Sequence, residues 1–133
     1  MMKNVIRVLV ASILLSSSGH AQGVQVVRRL NGYQCMALNI STAAQQSFDN
    51  LPPILSTPSP AAAQVGIASA SVIVATPLKA VNGFYQVLHL NGQSGWIEAS
   101  KLRPWVNANS PSTQCFPAMM SNGKPGFDYA QSH

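Results

Sequence analysis

The side chains of this chain best suited to covalent chemistry are those of its two cysteines, Cys35 and Cys115. They lie far apart in sequence and form no C-x-x-C pair, which in an oxidising compartment is typical of a structural disulfide. Closing a loop of about 80 residues would stabilise the fold by roughly 4 to 5 kcal/mol in the chain-entropy description. Two alternatives remain, namely two buried free thiols or a nucleophilic cysteine beside His89. We predict the disulfide, because nucleophilic catalysis also needs a base and an orienting group together.

Patterns typical of other catalytic or metal sites are weak. The three carboxylates, Asp49, Glu98 and Asp128, are too far apart in sequence to indicate an acid–base pair. The soft or borderline metal ligands are Met36, His89, Met119, Met120 and His133. They show none of the H-x-H, M-x-x-M or C-x-x-C spacings, and methionine more often fills gaps in a core. We therefore predict that the protein is not an enzyme and uses no metal or other cofactor.

Aromatic side chains are the remaining candidates for ligand binding, because they offer a large contact area at a low entropy cost. Trp96 has two interpretations, a ligand-facing residue or a plug of the core. Strand alternation places Phe84 and Tyr85 on opposite faces, so that one of the two should be exposed. We predict a binding groove formed by Tyr85, Glu98 and Trp105. The full set of candidate ligand-binding residues is Tyr85, Trp96, Glu98 and Trp105.

Residues 1–21 have the pattern of a signal peptide. Lys3 and Arg7 precede an apolar run at 8–15, and Gly19 and Ala21 fit a small-x-small cleavage site. The apolar run is shorter than the roughly 20 residues that span a bilayer, which argues against the alternative of a retained membrane anchor. We predict cleavage after Ala21, no transmembrane anchor in the mature chain, and a periplasmic or secreted location.

The basic residues do not form a nucleic-acid-binding surface. The formal net charge is +5, but Lys3 and Arg7 belong to the predicted signal peptide. The other cations are scattered along the chain, and only Arg28 and Arg29 are adjacent. Tracking a phosphate backbone needs a stripe or patch of such residues. We predict no nucleic-acid partner.

The chain between residues 22 and 105 has mainly β character. Residues 22–50 are an N-terminal extension with a β-prone segment at 24–30 and a predicted short helix at 41–48, where Thr42 and Gln45 have capping-box spacing. Residues 51–105 begin with a proline-rich stretch, followed by a predicted strand at 65–75. The segment 84–90 and the strand containing Trp96 form a predicted hairpin around Asn91 and Gly92, a sequence that favours a type I′ turn. Residues 98–102 have room for a single 3₁₀ turn.

The segments of residues 51–105 together predict a small closed β-barrel. Short strands separated by Gly, Pro and Asn are typical of barrels and sandwiches, and closure removes exposed strand edges. The expected core residues are Ile54, Val65, Ile67, Val72, Val74, Val87, Leu88, Ile97 and Leu102. Residues 106–133 show no clear period, and we predict an irregular C-terminal tail. The predicted fold class is therefore mainly all-β, with a short N-terminal helix and irregular, disulfide-linked flanks.

Residues 51–105 resemble the bacterial SH3 domain family. The similarity lies in a proline-rich first loop, a β-branched strand, an aromatic strand after Asn-Gly, and a Gly-Trp-aliphatic strand followed by leucine. Here these elements read "PILSTPSP", "SVIVA", "NGFYQV", "NGQSGWI" and "ASKL". The resemblance implies an SH3-like barrel that acts as an exported binding module for cell-wall peptide or an envelope protein. The alternatives are a small structural or inhibitory envelope protein that acts through its Cys-linked flanks, and a cysteine hydrolase.

Overall fold

Residues 23–131 are described by a computed structural model, and they form two antiparallel β-sheets. The predicted signal peptide lies outside the described residues. The mainly β class predicted from the sequence is confirmed. The strands are β1 (Val26–Arg29), β2 (Tyr33–Leu38), β3 (Pro53–Leu55), β4 (Gln64–Ile67), β5 (Ser71–Ala75), β6 (Phe84–Leu88), β7 (Ser94–Glu98), β8 (Leu102–Pro104), β9 (Thr113–Met120) and β10 (Pro125–Gln131). Single 3₁₀ turns lie at Ala44–Gln46, Phe48–Asn50 and Ala99–Lys101.

The larger sheet has seven strands in the order β4-β3-β7-β6-β5-β2-β8, and it does not close on itself. The closed barrel is therefore not confirmed. The sheet is nevertheless strongly curved. In a flat sheet, four strand spacings of about 4.8 Å would separate β4 from β5 by about 19 Å. The linker 68–70 joins Ile67 to Ser71 and reaches about 14 Å at most, so the sheet must curl to bring these strands together.

Curling encloses a single core on the concave face of the larger sheet. Its buried members are Met36, Leu38, Ile54, Ala68, Val72, Val74, Val87, Ile97 and Leu102. The predictions of Ile54, Val72, Val74, Val87, Ile97 and Leu102 are confirmed, whereas Val65 is only partly buried, Leu88 is half-buried and Ile67 is exposed. Met36 and Leu38 come from β2, in the predicted N-terminal extension. They enter this core because β2 pairs with β5 and β8.

The predicted N-terminal helix is wrong. Residues 44–50 form two 3₁₀ turns, and neither contains a buried residue. Phe48 is 79% exposed, so no apolar face is available to stabilise a longer helix. The predicted capping box is also not formed. The Ala44 N–H donates to Ser41 Oγ at 3.1 Å, while the Gln45 side chain donates to the Ile40 carbonyl instead of capping the helix.

The predicted hairpin between β6 and β7 is confirmed, but its turn differs from the expected type. Gly92 has a φ of 92°, whereas Asn91 is not among the residues with positive φ. The Gly92 N–H donates to the His89 carbonyl at 2.8 Å, which is the geometry of a three-residue loop with glycine at the left-handed position. The type I′ geometry occurs instead at Asn82 and Gly83, with φ values of 52° and 84°. Both Asn-Gly sequences form turns, as the local signal predicts. The type of each turn depends on how the flanking strands pair.

The predicted irregular tail is wrong. β9 and β10 form a long hairpin. β1 pairs with the free edge of β9, which gives the three-stranded sheet β1-β9-β10. Pro117 lies in the central strand β9, where proline argues against a strand because it has no N–H to donate. Its carbonyl accepts the Leu30 N–H at 2.8 Å. The hairpin itself is local and turns at Asn122 and Gly123, but the second edge of β9 pairs with β1 from the opposite end of the chain, which local patterning does not reveal.

Candidate functional site

Trp96 and Glu98 lie together on the convex face of the β6–β7 hairpin. Strand β7 alternates, with Gly95 and Ile97 buried and Trp96 and Glu98 directed to the other face. Trp96 pairs with Gln86 of β6 and with Leu55 of β3, and Glu98 pairs with Phe84. Trp96 is half-buried and is not part of the core, so its interpretation as a core plug is wrong.

Tyr85 lies on the opposite, concave face. It pairs with the fully buried Ile97 and packs against the core cluster. The prediction that either Phe84 or Tyr85 is exposed is wrong, because Phe84 is 7% exposed and Tyr85 is half-buried. Phe84 is buried but is not part of the core cluster, and it lines a cleft together with Pro52, Pro53 and Pro60. The structure therefore separates Tyr85 from Glu98, and the two do not share one groove.

A cleft of about 190 Å³ lies over Phe84 on the convex face, and we call it the Phe84 cleft. Phe84 and Leu55 contribute its apolar surface, and Glu98 and Lys101 contribute opposite charges. The remaining lining residues are Pro52, Pro53 and Pro60. Within residues 23–131 the single ion pair is Arg29–Asp128, so Glu98 and Lys101 are not paired with each other. Both charges are exposed and available to a ligand.

Backbone and amide hydrogen bonds hold the walls of the Phe84 cleft in place. The Asn82 side chain donates to the Pro58 carbonyl at 3.3 Å, which ties the proline-rich loop to the turn before β6. The Ser56 N–H donates to the Ala63 carbonyl at 2.9 Å and closes that loop at its base. The Ala99 N–H donates to the Gly83 carbonyl at 2.8 Å and fixes the start of the turn that carries Lys101. The predicted 3₁₀ turn after β7 is confirmed at Ala99–Lys101.

Trp105 lies at a different place, beside the smaller sheet. Its indole N–H donates to Ser71 Oγ at 3.0 Å, and its ring stacks on Tyr129 with centroids 5.6 Å apart. Trp105 lines a second cleft of about 400 Å³ where the two sheets meet, and we call it the inter-sheet cleft. Of the four predicted ligand-binding residues, the structure thus brings together only Trp96 and Glu98.

The two cysteines form the predicted disulfide. The Cys35 and Cys115 sulfur atoms are bonded, which links β2 of the larger sheet to β9 of the smaller sheet. These are the only cysteines in the sequence, so the chain in this form offers no thiolate to His89. The His89 ring instead accepts the Asn91 N–H through Nδ1 at 3.0 Å and lies close to Gly66.

Within the part of the chain that the structure describes, no three His, Cys, Asp or Glu side chains come together in a way that could hold a metal ion. In the same residues, no helix is long and apolar enough to cross a bilayer. No protein-family profile, curated protein or solved structure matches this chain.

Sequence reasoning missed the Phe84 cleft. Pro52, Pro60 and Lys101 were not candidates, because nothing in the local pattern places a proline-rich loop against the hairpin. The usable signal was the pair of apolar residues at 54–55 between prolines, where alternation sends Ile54 to the core and Leu55 to the cleft.

Proposed function

We propose that this chain is an exported, SH3-like binding module that recognises a peptide or another cell-envelope component through the Phe84 cleft. The observation that carries the proposal is a small apolar cleft with two unpaired, opposite charges at its edge, Glu98 and Lys101. Ligand sites are mainly apolar concavities with a few placed polar groups, which is the chemistry found here.

The chemistry of the Phe84 cleft favours a peptide. Phe84, Leu55 and the prolines give the cleft an apolar lining that suits one side chain, and the proline walls are rigid, so that little entropy is lost on binding. Lys101 can bind a carboxylate and Glu98 a cation, and a peptide carries both kinds of group near its apolar side chains. Trp96 extends the same face along β7 and offers further contact area next to Leu55.

The SH3-like part of the proposal is supported by the curvature of the larger sheet. The short 68–70 linker draws β4 towards β5, and strands from both ends of the sheet contribute to one core. The proposed periplasmic or secreted location is supported by the Cys35–Cys115 bond, because disulfides persist mainly in oxidising compartments.

The two alternative functions would use other parts of the molecule than the Phe84 cleft. An inhibitory or structural envelope protein would act through the smaller sheet, which the disulfide attaches to the larger one. It predicts that changes in the Phe84 cleft leave the activity intact. A cysteine hydrolase requires a thiolate, and both sulfur atoms are bonded to each other.

Charge reversal at the edge of the Phe84 cleft is expected to weaken binding. The oxidised protein is immobilised and exposed to purified cell-wall material and to envelope extract. The Glu98→Lys and Lys101→Glu variants should each retain about tenfold less ligand, since each removes one charge-assisted contact and adds a repulsive one. Asp49→Lys and Lys124→Glu are matched controls at exposed positions outside the cleft, and they should retain as much as the parent protein.

Equal retention by cleft and control variants would contradict the proposal and favour the smaller sheet as the working surface. No retention of either material by the folded parent protein would count against a binding module for envelope components. Circular dichroism and thermal unfolding of every variant establish that the fold is intact, as expected for exposed side chains.

A further inference from the structure

β10 forms one edge of the smaller sheet, and within residues 23–131 it pairs with β9 alone. The strands at a sheet edge in this part of the chain are β1, β4, β8 and β10, and β10 is the longest of them, with seven residues. A strand at an edge exposes a row of backbone N–H and C=O groups, to which a strand of another chain can pair.

Every second residue of β10 directs its backbone groups away from β9. The Pro117 carbonyl in β9 accepts the Leu30 N–H at 2.8 Å, so the backbone of Pro117 faces β1 and not β10. In antiparallel pairing, such a residue lies opposite one whose N–H and C=O groups also point away from it. Its partner Phe127 therefore faces outwards, and alternation adds Tyr129 and Gln131.

The other three sheet edges carry features that discourage pairing, which are bulges, charges, proline and short length. β1 has a register shift and two arginines, Arg28 and Arg29. β8 has three residues and ends at Pro104, and β4 has four residues and a register shift against β3. In β10 the one charged residue, Asp128, is paired with Arg29 at 2.9 Å. Pro125 blocks only the first position, which leaves residues 126–131 open to a partner.

An aromatic side chain lies exposed on this open edge. Tyr129 is 54% exposed, although its ring stacks on Trp105 and on Phe127, with centroid distances of 5.6 Å and 6.0 Å. These contacts hold the ring in place, so it loses little conformational entropy when a second surface covers it. The Gln131 side chain donates to Thr113 Oγ1 of β9 at 2.8 Å, and it is therefore directed away from the free edge.

We propose that β10 pairs with β10 of a second copy of this chain, antiparallel and about a twofold axis. Such pairing is self-complementary, because the outward N–H groups of each copy meet the outward C=O groups of the other. With the axis at Tyr129, the two Tyr129 residues bond to each other, and Phe127 of each copy bonds to Gln131 of the other. This register gives about six backbone hydrogen bonds.

The side chains favour the same register and a second copy as the occupant. The axis at Tyr129 brings the two exposed rings together and continues the stack that begins at Trp105. It also places Asp128 opposite Ala130 of the second copy. An axis at Asp128 would instead place two carboxylates directly opposite each other, which is unfavourable. A different protein would need its own exposed aromatic edge, whereas a second copy presents the matching one by symmetry.

Sedimentation equilibrium of the oxidised protein, over about 1 to 500 µM, tests the proposal. The parent should be a monomer–dimer mixture with a Kd on the order of 50 µM, as for a small, transient interface. Tyr129→Pro removes an outward N–H and no bond to β9, so the fold should persist while the Kd rises at least tenfold. The matched Tyr129→Thr keeps the N–H and loses only the ring, and its Kd should rise about threefold.

Charge at Ala130 tests the register without altering the backbone edge. Ala130→Lys places a cation opposite Asp128 of the second copy and should lower the Kd about threefold, whereas Ala130→Asp should raise it about threefold. Ala80→Lys and Ala80→Asp make the same charge changes at an exposed loop position, and neither should change the Kd. Circular dichroism and thermal unfolding check the fold of every variant.

A parent protein that stays monomeric up to about 500 µM would overturn the proposal. So would a folded Tyr129→Pro variant that dimerises as well as Tyr129→Thr, because the outward backbone bonds would then contribute nothing. If the two Ala130 variants differ no more than the two Ala80 variants, the pairing about Tyr129 is wrong. None of these outcomes depends on the Phe84 cleft, which lies on the larger sheet.

Discussion

Replacement of both Cys35 and Cys115 by alanine is expected to lower the free energy of unfolding by about 4 kcal/mol. The two residues are separated by 80 positions, so the bond removes much of the freedom of the unfolded chain. This is a large share of the 5 to 15 kcal/mol that is typical of a folded domain. Because the bond joins the two sheets, its loss should affect the smaller sheet first.

The smaller sheet depends on this bond because it contributes little to the main core. Its buried residues are Pro117, Ala118 and Pro125, and the members of the core cluster all come from the larger sheet and its linkers. Tyr129 is 54% exposed, and β1 is exposed along its whole length. Urea unfolding of the double alanine variant, compared with the parent with and without reductant, measures the effect. Hydrogen exchange should show the loss of protection concentrated in β9 and β10.

A double alanine variant within about 1 kcal/mol of the oxidised parent would contradict this prediction. The matched control is the parent protein in reductant, which should unfold like the variant. If the variant alone were destabilised, the effect would come from lost packing at Cys35 and not from the crosslink.

Substitution of Gly95 by alanine is expected to destabilise the protein by about 3 kcal/mol, the upper part of the range for overpacked cores. Gly95 is buried in β7, next to Trp96, which pairs with Leu55 of the neighbouring strand β3. A Cβ atom placed there would clash with the Ile54 side chain and would lie 3.1 Å from the Leu55 carbonyl oxygen. Ile54 is itself buried in the core, so it has no free space to move into.

Gly92→Ala is the matched control in the same hairpin. A Cβ atom at Gly92 meets nothing within 4 Å, and the cost is confined to its φ of 92°. For a residue with a Cβ in the left-handed region, that cost is about 1 kcal/mol. Chemical denaturation should therefore rank the parent, Gly92→Ala and Gly95→Ala in order of falling stability. If Gly95→Ala proved as stable as Gly92→Ala, the close approach of β3 to β7 would be wrong.

The hairpin and the disulfide were predictable because their signals are local or chemical. Asn91 and Gly92 lie between two apolar segments, and each of the two cysteines has one possible intramolecular partner. The β9–β10 hairpin turns at Asn122 and Gly123, a local signal that was missed, whereas the pairing of β9 with β1 spans most of the sequence and leaves no local pattern. The helix at 41–48 failed because propensity and a capping pattern do not stabilise a helix that has no apolar face to bury.

In the candidate site, too, local features were predictable from the sequence and long-range contacts were not. Alternation correctly placed Phe84 and Tyr85 on opposite faces, yet which face is covered depends on the proline-rich loop and on the curl of the sheet. Glu98 and Trp105 are close in sequence, but the turn and strand between them carry Trp105 away to Ser71 and Tyr129. The predicted groove of Tyr85, Glu98 and Trp105 therefore combined residues that the fold places apart.

The sequence by itself determined the β class, the position of the central hairpin and the covalent link, since periodicity, turn residues and cysteine chemistry act over short range or without regard to the fold. The tertiary structure decided that neither sheet closes, that the chain ends pair into a second sheet, and which side chains share a cleft. These features depend on contacts between segments distant in sequence, and their energies arise from packing and pairing that no local pattern records.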